Sequence, residues 1–142
     1  MNSNDGNAAA EPMAPTPNQT QVIDVKEMPW QQIAADVRCK VLYKDDSSGL
    51  SVVLFNFAPG ATTPLHMHTG LECTYVLEGS LADHDSIVTA GNFAARIAGS
   101  VHQARAPQGS THLVFFTKPV RNVDGQVTVF SAGSGAEKLA PR

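Results

Sequence analysis

Two histidines one residue apart, His66 and His68, are followed four residues later by Glu72 in the stretch HMHTGLECTYVLEG. On a β-strand residues i and i+2 share a face, so this spacing lets both imidazoles reach one ion. Glu72 follows a Thr-Gly break and can return from the next strand as a third ligand. His102, in GNFAARIAGSVHQA, lies a hairpin and two strands further on, where a closed sheet would bring it opposite the first pair. Three neutral imidazoles and one carboxylate suit a first-row divalent ion such as iron, manganese, cobalt, nickel or zinc, and suit calcium or magnesium poorly. A single strand histidine is most often a packing or surface residue. The joint spacing of Gly60, His66, His68, Glu72 and Gly79 is different: with this composition it would arise by chance on the order of once in ten thousand chains. The expected centre is therefore His66, His68, Glu72 and His102 around one metal.

The elements that must position these residues read as β throughout. GLSVVLFNFAPG (49–60) is rich in β-branched and aromatic residues and ends in a Pro-Gly turn signal, and CTYVLEG (73–79) closes on a glycine. LADHDSIVTAG, NFAARIAG, VHQARAP, THLVFFTKP and QVTVFSAG follow as further short strands, with no long helical period between them. Such a pattern predicts an antiparallel sandwich or barrel. Before it, Val22, Val37, Val41 and Leu42 are strand candidates and Trp30, beside Pro29, is a packing anchor. The expected organisation is a tail over 1–20, one domain over 21–133 and a C-terminal tail over 134–142, because the Asn-, Ala- and Pro-rich start buries too little apolar surface to offset ordering its backbone.

Composition narrows the function classes. With 142 residues, 42% of them hydrophobic and 16% charged, the chain can bury one core. Its net charge of -3 and scattered Lys and Arg give no footprint for nucleic acid. No apolar run approaches the roughly 20 residues that cross a bilayer, and the N-terminus lacks the basic start and apolar block of a secretory signal, so a soluble cytoplasmic protein with no membrane partner is expected. Cys39 and Cys73 have no CxxC spacing and form no dense framework, so a disulfide scaffold is not expected, and Cys73 reads as a packed thiol.

These residues carry a family resemblance. Gly60, five residues, His66-x-His68, three residues, Glu72, six residues and Gly79 resemble the first cupin motif without departure. Gly91, Gly99 and His102 resemble the second, with Ile97 where proline is usual and Ala106 where asparagine is frequent, neither of them a ligand position. The resemblance spans about residues 40–120 and implies an all-β cupin jelly-roll barrel (double-stranded β-helix) with a metal centre. The flanking text is similar to the cupin subgroup that includes the zinc-binding anti-sigma factor of the singlet-oxygen response. The same subgroup holds small dioxygenases that cleave acetylacetone or dihydroxyacetophenone.

The resemblance implies one divalent transition metal, Fe(II) first, with Zn, Mn, Ni or Co as alternatives, and a small diketone or hydroxyketone substrate cleaved at a C–C bond. Tyr75, three residues beyond the glutamate, and Arg96, in the strand leading to His102, are candidates to support the metal ligands or orient substrate, with packing or surface roles as the alternative; with Glu72 they make up the expected catalytic set. The alternatives are a zinc-binding sensor or ligand-binding module without catalysis, and an oxygen-independent isomerase or lyase. The anti-sigma relatives carry a separate metal-binding N-terminal helical domain, whereas residues 1–20 hold no His, no Cys and no helical period, so an enzyme is expected. Cupin sheet edges are often covered by exchange of N-terminal strands, which predicts a homodimer through part of residues 21–45. His84, among turn residues, is expected at the surface, while His112, opening THLVFFTK, fits either the pocket or the outside.

Overall fold

The computed structural model of the chain describes residues 14–123. The expected strand QVTVFSAG, the domain end at 133 and the tail over 134–142 lie outside the described residues, as do residues 1–13 of the expected N-terminal tail. Residues 14–20 are exposed and belong to no strand.

Strand alternation builds the fold. After β1 (Gln31–Ala34) and β2 (Val37–Asp45), strand β3 (Leu50–Phe57) turns Ser51, Val53, Phe55 and Phe57 inward while its other residues stay half-exposed. Two short strands, β4 (Ala61–Thr62) and β5 (His66–His68), lead into the longest, β6 (Glu72–Ala82). The chain continues through β7 (Ile87–Thr89), β8 (Phe93–Arg96), β9 (Val101–His102), β10 (Arg105–Ala106), β11 (Ser110–Phe116) and β12 (Val120–Asn122). Among the described residues there is no helix, hence none long and apolar enough to cross a membrane. The all-β architecture expected from the pattern is the observed one. Val22 is the exception: it lies in irregular chain and is 87% exposed, because no neighbouring strand is within its local sequence to pair with it.

The strands form two antiparallel sheets. The larger runs β1-β2-β3-β11-β6-β10-β4, with β7 and β8 also paired to β6, and the smaller runs β12-β5-β9. Strand β6 is the spine. Its residues Glu72 to Gly79 pair with β11, and on the other edge Glu72 to Tyr75 pair with β8. Phe55, Phe57, Val76, Leu81, Val114 and Phe116 fill the core between the sheets.

Gly79 has a positive φ of 71°, and a Cβ there would run into the carbonyl of Gly109, so the β6–β11 contact requires glycine at this motif position. At the N-terminal edge Trp30 lies between two cations, 4.6 Å from Arg38 and 4.6 Å from Lys40, and Lys40 Nζ donates to the Val25 carbonyl at 2.6 Å. These contacts tie the irregular segment before β1 onto β2.

Candidate metal centre

The small sheet supplies three imidazoles and the large sheet supplies the carboxylate. His66 and His68 share the inner face of β5, and His66 pairs directly across the ladder with His102 on β9. Glu72 opens β6, whose even-numbered residues Glu72, Thr74 and Val76 point inward. The turn between β8 and β9 fixes the spacing. Gly99, at φ 90°, donates its N–H to the His68 carbonyl at 2.7 Å, and the His68 N–H donates to the Ser100 carbonyl at 2.9 Å. Ile97, in the place of the usual proline, closes that turn by accepting from the Ser100 N–H at 3.1 Å, so the departure leaves the turn intact. Ala106 is fully buried in β10, opposite Ala61.

His66, His68, Glu72 and His102 are all buried, and one potential ligand atom from each lies within 4.8 Å of the others. The hydrogen bonds fix which ring nitrogens are free. His66 Nδ1 donates to the Pro64 carbonyl at 2.8 Å, and a carbonyl can only accept, so Nε2 keeps its lone pair. His102 Nδ1 donates to Asp83 Oδ2 at 3.1 Å, which leaves its Nε2 free in the same way. His68 Nε2 stands 3.0 Å from His102 Nε2, and its Nδ1 stands 3.4 Å from Glu72 Oε2. That Nε2 separation is close to the chord between two metal–nitrogen bonds of about 2.1 Å meeting at about a right angle. A proton on His68 Nε2 bridges this contact as a hydrogen bond to His102 Nε2, and a cation in its place would meet both nitrogens, so the donor set fits one.

Burial keeps the imidazoles neutral, the form in which they ligate. Desolvation lowers His68 to about 3 and His102 to about 4, with further repulsion from the neighbouring imidazoles and Arg96. Burial also lowers His66, partly offset by its bond to Pro64. Burial raises Glu72 against the pull of Arg96. For Asp83 burial alone would raise the carboxyl, but hydrogen bonds from Arg96, Ser86 and His102 outweigh it and hold the group well below the usual carboxylate range.

Arg96 joins the two acids. Its Nη1 donates to Glu72 Oε1 at 3.1 Å, and its Nη2 and Nε donate to Asp83 Oδ2 at 2.8 and 3.2 Å. The β6–β8 register places it directly opposite Glu72. Thr74 Oγ1 also donates to Glu72 Oε1, at 3.1 Å, so Oε2 is the carboxylate oxygen left for a metal.

Tyr75 does not join this group. It is 43% exposed, beside Phe93 on the outer face, because three residues beyond Glu72 on a strand is the opposite face. His84 is exposed in the turn after β6. His112 is buried and faces inward from β11.

Asp83 was missed by the sequence reading because ADHDS has the composition of a turn. It makes that turn: Oδ1 accepts from Ser86 Oγ at 2.8 Å and from the Ser86 N–H at 3.0 Å, while Oδ2 faces His102 and Arg96. Turn chemistry and site chemistry share one carboxylate.

The cluster borders a partly open cavity of about 40 Å³. Phe55, Phe57, Phe116, Leu81 and Val114 form its apolar wall, and His66, Glu72, Arg96, His102 and His112 its polar surface. Space of this size takes a few waters.

A jelly-roll barrel with three histidines and a glutamate converging inside it defines the protein as a cupin with a candidate metal site. Residues 18–121 match the family model of the ChrR cupin-like domain, and the chain belongs to that family. No curated protein matches it. Among solved structures it is similar to a putative acetylacetone dioxygenase from Methylibium petroleiphilum, at 18% identity and a TM-score of 0.72 over 82% of this chain and 91% of the other. An acetylacetone dioxygenase from Acinetobacter johnsonii aligns at 15% identity and a TM-score of 0.69, covering 91% and 94%. The complex of Rhodobacter sphaeroides SigE with the anti-sigma ChrR aligns at 23% identity and a TM-score of 0.58, over 65% of this chain and 51% of that one. At these identities the likeness establishes the shared fold.

Proposed function

We propose that the protein is a mononuclear non-haem Fe(II) dioxygenase that cleaves a carbon–carbon bond of a small diketone or hydroxyketone. The observation that carries this reading is the three-histidine, one-glutamate cluster opening into a small apolar-walled cavity. His66, His68 and His102 would hold the metal through imidazole nitrogens, with Glu72 Oε2 as the fourth donor. Fe(II) bound there would supply a Lewis acid for the ketone oxygens and electrons for dioxygen.

Charge supports the substrate class. The imidazoles are neutral, and Arg96 offsets one of the carboxylates Glu72 and Asp83, leaving one negative charge in excess. A divalent ion reverses that to one positive charge, which a monoanionic enolate neutralises in a cavity where unbalanced charge is costly. Arg96 holds the Glu72 carboxylate in place, and the phenylalanine wall excludes bulk water from the reacting carbon.

A zinc-binding module without catalysis is the second reading, favoured by the likeness to the SigE–ChrR complex. Oxygen uptake separates the two. Protein loaded anaerobically with Fe(II) is expected to consume dioxygen with acetylacetone or a hydroxyketone and to release the cleaved acid. Stoichiometric zinc in protein purified without chelators, with no uptake across such a panel under Fe(II), would contradict the dioxygenase reading.

The same reading includes a homodimer. Strand β1 is the terminal strand of the large sheet, and an open strand edge is a pairing template. Light scattering on a sizing column at micromolar concentration is expected to give twice the chain mass, and a monomer peak would contradict it.

A further inference from the structure

We propose that His112 is a ligand-binding residue, its Nε2–H donating a hydrogen bond to an acceptor oxygen at the end of the substrate remote from the metal cluster. The proposal deepens the reading of the cavity as a site for a small oxygenated ketone, and rests on it.

His112 is 3% exposed and lies on the cavity wall. Its ring stacks on Phe55 (5.6 Å between centroids, 25° between planes) and meets Phe57 edge-on at 4.9 Å. A phenylalanine would fill this aromatic slot without burying any polar atom. The imidazole instead carries two nitrogens, and only one has a protein partner: Nδ1 lies 2.9 Å from Ser110 Oγ, while Nε2 has no hydrogen-bond partner among the described residues and is not fully enclosed, on a ring that lines the cavity. A donor with no protein partner on a cavity wall is the group that a ligand oxygen can engage.

Ser110 sets the polarity. The serine is buried, and its hydroxyl has His112 Nδ1 as its hydrogen-bond partner among the described residues. A buried O–H is best satisfied by donating, which makes Nδ1 the acceptor and puts the ring proton on Nε2. Burial also holds the ring neutral, lowering it to about 3. The group offered to the cavity is therefore a neutral N–H donor.

The sheet register sets its position. Phe116 pairs with Glu72 and His112 pairs with Val76, so His112 lies four residues along β6 from the glutamate. At the strand rise this separates the two backbones by about 13 Å, with the cavity between their side chains. The ligand that fits has a metal-binding oxygen pair, apolar carbon against Phe55 and Phe57, and a further carbonyl or ester oxygen just beyond the pair.

The test uses Zn(II)-loaded full-length protein, so that binding is read without dioxygen, and two probes: acetylacetone, which has methyl ends, and methyl acetopyruvate, which adds an ester oxygen at one end. By calorimetry His112→Phe is expected to weaken methyl acetopyruvate about tenfold, the equivalent of one hydrogen bond. Acetylacetone affinity and zinc content should stay within about threefold, and the melting temperature should hold or rise. In the wild type, the ring-nitrogen NMR spectrum should show His112 as the Nε2–H tautomer, its proton moving downfield with methyl acetopyruvate and not with acetylacetone. This second reading needs no variant to fold.

Equal loss of both probes, an unchanged affinity for methyl acetopyruvate, or an Nδ1–H tautomer that ignores both probes would overturn the proposal. Binding of both probes as expected with no oxygen uptake under Fe(II) would contradict the dioxygenase reading and support the role of His112. A wild type that binds neither probe would overturn the ketone reading and this proposal with it.

Discussion

Replacing Asp83 by asparagine changes one atom of a buried side chain, and the structure indicates why it should weaken the metal site. Oδ2 accepts from Arg96 Nη2 at 2.8 Å, Arg96 Nε at 3.2 Å and His102 Nδ1 at 3.1 Å. Oδ1 accepts from Ser86 Oγ at 2.8 Å and the Ser86 N–H at 3.0 Å. Both oxygens are acceptors, and only a carboxylate accepts on both sides. In Asp83→Asn the amide NH2 must face one of these donor sets.

If it faces His102, it favours the tautomer with the proton on Nε2, and the ligand nitrogen is blocked. If it faces Ser86, the turn loses its cap, and Arg96 and His102 lose a charged acceptor for a neutral one. Outer partners of metal-bound histidines are worth roughly 10–100-fold in affinity, about 1.4–2.7 kcal/mol. The metal-free fold should lose about 1–3 kcal/mol from the weakened bonds to Arg96.

Competition with a chromophoric chelator for Co(II) or Zn(II) measures the first quantity, and a thermal melt of the metal-free protein the second. Ser86→Ala, which touches only the turn side, should leave metal affinity within about threefold. A folded Asp83→Asn protein with wild-type affinity would refute the argument that Asp83 orients His102.

Other expectations follow from the same geometry. Alanine at His66 or His102 should abolish tight metal binding while the protein remains folded, and stoichiometric metal in both purified variants would contradict the ligand assignment. Gly79→Ala combines a positive φ with a clash against the Gly109 carbonyl and should cost about 2–4 kcal/mol, read as a fall in the urea midpoint with unchanged slope. The metal-free protein should lose stability as pH falls below about 6.5. His68, His102 and His112 are held neutral when folded, at about 3, 4 and 3, so the unfolded chain binds more protons throughout that window. Each such imidazole contributes up to about 2 kcal/mol of loss by pH 5, less where solvent screens it, and the raised Glu72 carboxyl offsets part of the total. A urea midpoint equal at pH 7 and pH 5 would show that these rings are not buried as described.

The centre was legible because metal ligation constrains spacing along a strand. His66 and His68 had to share a face, and Glu72 and His102 had to return from neighbouring strands, so four residues separated in sequence could be read together. The same parity rule exposes the error at Tyr75: two or four residues beyond Glu72 would face the cavity, and three cannot. His112 stayed open because its face depends on the β11 register, which is set by pairing with β3 and β6 and is not carried by THLVFFTK itself. Asp83 was hidden for a related reason. Its turn bonds are local and readable, but its contact with His102 joins residues 19 apart, and its contact with Arg96 joins residues 13 apart. The pairing of Arg96 opposite Glu72 brings that group into place. Val22 shows the limit of propensity: a β-branched residue forms a strand only where a partner strand is present.

The most direct test of the account is an anomalous-diffraction map of crystals grown from protein purified without chelators, collected on both sides of the absorption edge of the metal found in solution. One peak is expected inside the barrel, bonded to His66, His68 and His102 and adjacent to Glu72, with Asp83 hydrogen-bonded to the far side of the His102 ring. A barrel with no peak at full metal loading, or a peak held by other residues, would contradict it.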